Sequence, residues 1–200
     1  MSHIIKKLLS LFCIAMLLSG CIFVAGAAAG AAAIAMVYDH RPVHETAEDA
    51  EIQNRILNRL RNFPELRKES HIDVTVFNRI VLLTGQTPNP EWREQVEAIA
   101  AAVPHVVKVY NQLTIEGPTS SLTRASDAWI TAKIKTQMLA TEELKTNNSS
   151  IKVVTENGVV YLMGNVTHNQ ADIAVDIARH VAGVQRVIKI FQYKPTATNN

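Results

Sequence analysis

The residue with the most specific chemistry is Cys21. It closes the run Leu18-Ser19-Gly20-Cys21, behind Lys6, Lys7 and an apolar stretch from Leu8 to Leu18. A short cationic segment, an apolar segment and then small residues are the layout of a bacterial secretion signal. Ser19 and Gly20 are small enough to let an extended chain enter a signal peptidase, and the Cys21 thiol is the nucleophile that takes a diacylglyceryl thioether. Residues 1–20 then read as a lipoprotein signal peptide and 21–46 as a lipidated, Ala/Gly-rich tether. The competing reading is an uncleaved membrane helix, because apolar character continues to Val37 and about twenty residues span a bilayer. Gly26 to Ala35 is nearly all Ala and Gly, however, with little of the Leu, Ile and Phe that favour insertion.

Elsewhere the chemistry is sparse. His40 and His44 have a metal-like spacing, but Pro42 between them disfavours the helix that would put both on one face. Thr119, Ser120 and Ser121 stand without a matched His and Asp, and there is no nucleophile elbow, phosphate loop or metalloprotease motif. The expectation is a binding module with no catalytic residues, no metal and no cofactor.

Composition narrows the partners. The 200 residues carry 20 basic and 18 acidic side chains, net +2. Removal of residues 1–20 takes away Lys6 and Lys7 and leaves zero net charge, which withdraws the compositional support for nucleic acid. Cys13 would leave with the signal and Cys21 would carry lipid, so disulfides contribute nothing.

The chain repeats itself. At an offset of 78, Asp49-Ala50 falls on Asp127-Ala128, Ile52 on Ile130, Ile56 on Ile134 and Leu60 on Met138; at 79, Val74 falls on Val153, Asn78 on Asn157 and Gly85 on Gly164. One residue inserted around Asn147 to Ser150 explains the slip. Two copies are therefore expected, at 47–115 and 126–194, with 116–125 as linker and 195–200 as a tail. At about seventy residues each copy is small for an independent core, so the two should pack on each other.

Each copy opens with apolar residues about four apart, an amphipathic helix, which Ser126 or Asp127 would cap in the second copy. Alternating strands follow, joined by turns at Asn78-Arg79 and Asn157-Gly158, the latter a strong type I′ signal. A second helix, from about Pro90 to Ala102 and Asn169 to Val181, precedes a last alternating strand, Val106 to Ile115 and Val184 to Tyr193. The order αββαβ predicts an α+β fold, two helices packed on a small three-stranded mixed sheet in each copy.

That order, the glycine closing the second strand, the Val-x-x-Val-x-x-Val spacing before the last strand, and the runs Ser126 to Lys135 and Val154 to Gly164 resemble the BON domain, here as a tandem pair. The resemblance to tandem-BON lipoproteins covers nearly the whole chain after Cys21. It implies an outer-membrane lipoprotein, lipid-anchored and facing the periplasm, that binds anionic phospholipids such as phosphatidylglycerol and cardiolipin through the first helix of its second BON domain. It further implies gathering at division sites and a part in envelope integrity. Ile22 after the lipidated cysteine is similar to signals that sort to the outer membrane. Pro104-His105 stands where the second copy has Ala182-Gly183, so binding residues are not carried into the first copy.

The residues independently point to the same helix. Trp129 sits where the first copy has Glu51, and projects roughly 140° away from the core residue Ile134. Lys133 follows one turn on, and Leu139 replaces Arg61. An indole beside an ammonium group suits the membrane interface. Net charge agrees, −1 for 47–115 and +2 for 126–194. Trp129 and Lys133 are the main candidate contacts, with Ile130, Lys135, Gln137 and Leu139 as neighbours. The other reading of Trp129 is a hot spot of a periplasmic adaptor for envelope-assembly or cell-wall enzymes, with envelope-assembly or division proteins as possible partners, or a ring packed on the first copy or the linker.

Overall fold

A computed structural model describes residues 43–145 and 150–194. The first repeat runs α1 (Val43–Leu60), α2 (Pro64–Glu69), β1 (His71–Phe77), β2 (Ile80–Thr87), α3 (Pro90–Ala101), β3 (Lys108–Asn111) and β4 (Thr114–Ile115). The second runs α4 (Ser121–Ala140), α5 (Glu142–Lys145), β5 (Ser150–Glu156), β6 (Val159–Val166), α6 (His168–Arg179) and β7 (Arg186–Tyr193). Both are αββαβ with a short extra helix after the first, α2 and α5, which the sequence pattern did not announce. The central strand pairs antiparallel with its hairpin partner and parallel with the strand that returns after the second helix. In the first repeat this last strand is broken into β3 and β4, both paired to β2.

The hairpins turn where Asn78-Arg79 and Asn157-Gly158 predict. All four residues have positive φ, 48° and 62° in the first turn and 48° and 74° in the second, the left-handed geometry of a type I′ turn. A buried carboxylate holds each turn closed. Asp49 of α1 accepts from the Asn78 and Arg79 amides at 2.8 and 2.9 Å. Asp127 of α4 accepts from Asn157 and Gly158 at the same two distances. Asp127 is thus a mid-helix clamp and not a cap. Ser120 caps α4, accepting from the Thr123 amide, so the helix starts inside the expected linker and carries Leu122 on its first turn.

The repeated glycines have a steric reason. A Cβ on Gly85 would lie 2.0 Å from the His71 carbonyl oxygen, and one on Gly164 would lie 2.7 Å from that of Ser150. Both strands approach their hairpin partner too closely for a side chain.

Each sheet has two apolar faces. Val74, Val76, Val81 and Leu83 pack under Ile52, Ile56 and Leu60 of α1, while Phe77, Ile80 and Leu82 point the other way and meet Tyr161, Met163 and Ile190 of the second repeat. The two repeats therefore pack through their open sheet faces, as the small size of each copy requires. All eight residues of β2 are buried, which explains why Ile80 to Leu83 is continuously apolar instead of alternating. Each large side chain buried in this seam contributes about 1.5–3 kcal/mol.

Candidate functional site

Helix α4 carries the expected binding residues, and its rotation sorts them. Ile130, Ile134 and Met138 are buried under the helix. Trp129 stands opposite and keeps 54% of its surface exposed, so the ring is not sealed against the first repeat or the linker. Lys133, one turn on, is exposed beside it. Leu122 lies seven residues before Trp129, two turns along the same side, and is 79% exposed. Sequence reasoning missed Leu122 because the helix was started too late; the serine cap at Ser120 was the available signal.

At about 100° per residue, Ala125, Ala132, Thr136 and Ala140 share that side within roughly 60° of Trp129. The face is thus a leucine and an indole set in small residues, with one ammonium group. The helix contains a single acidic residue, Asp127, and that carboxylate is buried and committed to the hairpin turn. No carboxylate of α4 opposes an anionic surface.

The other expected residues separate from this pair. Ile130 is a correction: it is 2% exposed, one residue past Trp129 and so about 100° round the helix, and it belongs to the core. Lys135 is half-buried, and burial lowers its ammonium pKa from the ordinary lysine value. It occupies the position of Leu57 in the first repeat, which packs against the core there. Gln137 is exposed and Leu139 half-buried, on opposite flanks of the Trp129 face. Cys21, His40 and the side chain of His44 lie outside the described residues, as do 146–149, most of the loop expected to hold the insertion, and the tail at 195–200.

Among the described residues no helix is long and apolar enough to cross a membrane. A group of His71, Asp73 and Glu156 brings three possible metal-ligand atoms together at the junction of the repeats; sequence reasoning did not find it, since its members come from two strands of different repeats.

The class is settled by comparison. The BON domain model matches residues 48–117 and again 126–195, and the chain belongs to the BON-domain family. Within it the chain has the tandem arrangement and is similar to an outer-membrane lipoprotein: it is 34% identical over 189 residues to the outer membrane lipoprotein DolP of Haemophilus influenzae, covering 94% of this chain and 96% of that protein. It is also 35% identical to a 21 kDa hemolysin of Actinobacillus pleuropneumoniae, covering 78% of this chain and 79% of that one. Among solved structures it is similar to CdsD, a structural protein of the type III secretion system of Chlamydia trachomatis, with 12% identity and a TM-score of 0.31, covering 74% of this chain and 94% of that one. The likeness to CdsD is too low to carry an argument.

Proposed function

We propose that this protein is a tethered lipid-binding module, not an enzyme: Cys21 anchors it to the outer membrane facing the periplasm, and the outer face of α4 rests on anionic phospholipid headgroups. The observation that carries this reading is the exposed Trp129 flanked by Leu122 and Lys133 on a helix whose one carboxylate is turned inward. An indole settles at headgroup depth, leucine enters the acyl boundary, and lysine pairs with phosphate. One lysine near an anionic surface contributes about 1 kcal/mol, enough to orient the helix but not to hold it. The lipid on Cys21 supplies durable attachment, at about 0.8 kcal/mol per buried CH₂, and makes the headgroup contact effectively intramolecular. Contact of this kind, concentrated at division sites, would support envelope integrity.

The test is co-sedimentation of a form lacking residues 1–21 with vesicles of rising phosphatidylglycerol or cardiolipin content. Binding should rise with the anionic fraction, fall with salt, and be lost in Trp129→Glu. Binding indifferent to lipid charge, or unchanged in Trp129→Glu, would leave the face to a protein partner instead.

A further inference from the structure

We propose that His71, Asp73 and Glu156 form a divalent-cation site, zinc-like in preference, that links the two repeats. Their donor atoms all lie within 4.8 Å of one another. His71 and Asp73 are two residues apart on β1, so both stand on the sheet face that carries Phe77 into the seam. The His71 Nε2 to Asp73 Oδ2 separation is 3.4 Å. A tetrahedral ion with bonds of about 2.1 Å has donor–donor edges of about 3.4 Å. That pair already has the required spacing, and Glu156, whose donor lies within 4.8 Å of the other two, needs to approach by at most about 1.4 Å.

Glu156 reaches the corner from the end of β5 in the other repeat and is 8% exposed. Its Oε1 accepts from Gln86 Nε2 at 2.6 Å, while Gln86 Oε1 accepts the Thr119 amide at 3.0 Å. Both ends of the Gln86 amide are committed, which holds the carboxylate in place. Burial pushes the Glu156 carboxyl above its usual range; the Gln86 hydrogen bond and His71 oppose this, and Asp127 and Asp73 add to it. A bound cation would offset the cost of gathering these carboxylates.

The duplication supplies an internal control. At the offset of 79, His71, Asp73 and Glu156 correspond to Ser150, Lys152 and Phe77. In that corner the Lys152 ammonium donates to the Val76 carbonyl at 2.8 Å, and Phe77 packs in the apolar seam. The fold closes one corner with a lysine and an aromatic ring, so packing alone does not require the histidine–carboxylate set in the other. One imidazole with two carboxylates suits zinc or a similar borderline ion, whereas magnesium and calcium favour oxygen donors. Asp73 is exposed, which leaves a side open for a water ligand.

The experiment is zinc titration of the full chain, purified in detergent and stripped with a chelator, followed by calorimetry and thermal unfolding. Saturable binding that raises Tm is expected, with affinity falling at least about tenfold in His71→Gln and in Glu156→Gln, which leaves an acceptor for Gln86. Asp73→Asn, at an exposed position, should show the same loss without risk to folding. His105→Ala and His180→Ala should bind as the parent does, and excess magnesium should not compete. Absence of saturable zinc binding, or binding that survives Asp73→Asn and Glu156→Gln, would reduce the cluster to a His71–Asp73 ion pair and overturn the proposal.

Discussion

Helices α1 and α4 occupy the same place in two copies of one fold and meet solvent with opposite chemistry. Inward they agree: Ile52, Ile56 and Leu60 in one and Ile130, Ile134 and Met138 in the other fill the core, and Asp49 and Asp127 hold the hairpin turns. Outward, α1 places Glu51 and Arg55 where α4 has Trp129 and Lys133, and those two charges neutralise each other in an ion pair of 2.5 Å. Glu48 of α1 pairs with His105 at 3.1 Å. One surface is self-satisfied and hydrated; the other keeps a lysine and an indole with no carboxylate of its own helix to answer them. Divergence concentrated on the solvent face of these two helices teaches that the core preserves the fold while the outer residues were free to take on a contact.

The comparison can be broken most severely at the glycines. Gly85→Ala should cost roughly 4 kcal/mol or more by denaturant unfolding, because the new Cβ would fall 2.0 Å from a carbonyl oxygen; Gly164→Ala, at 2.7 Å, should cost clearly less. Equal effects would mean that the two hairpins are not equivalent in their close approach. Next come the clamps. Asp127→Ala and Asp49→Ala each strand two turn amides, and each should lose about 2–4 kcal/mol, with the larger loss at Asp49, where Arg79 holds φ 62° without being glycine.

Exchange of the outer faces sharpens the contrast without touching the core. Placing the first repeat's residue in the second, Trp129→Glu, should abolish vesicle binding at unchanged Tm, whereas Lys133→Ala should weaken it about fivefold, the equivalent of about 1 kcal/mol. Glu51→Trp alone should confer little, since Arg55, left without its ion-pair partner, shares the helix with the carboxylates of Glu45 and Glu48. Stability effects of similar or smaller size are expected at the loop where the copies differ in sequence: Gly183→Ala should cost about 1–2 kcal/mol, since φ is 91° and Ile130 Cδ1 would lie 3.0 Å away. His105→Gly should be near neutral, its relief from φ 70° offset by loss of the Glu48 pair.

Much of this was legible beforehand. The repeat, the αββαβ order, the Asn-led turns and the two strand glycines follow from local backbone chemistry, which each short segment expresses by itself. The exposure of Trp129 and Lys133 followed from helical phase. Ile130 was misplaced because neighbours in sequence lie about 100° apart on a helix, and Leu122 was missed because the cap at Ser120 was passed over for Ser126 and Asp127. Asp127 itself looked like a cap; its partners are thirty residues away in sequence and known only once the helix lies across the hairpin.

The sequence by itself determined the duplication, the elements and the helix that carries the indole, because these depend on spacing along one chain. Tertiary structure alone decided that the sheets meet through their open faces, that the carboxylate of α4 turns inward, and that His71, Asp73 and Glu156 converge. Those relations join residues from separate strands and repeats, and burial brings them together through packing that no local pattern encodes.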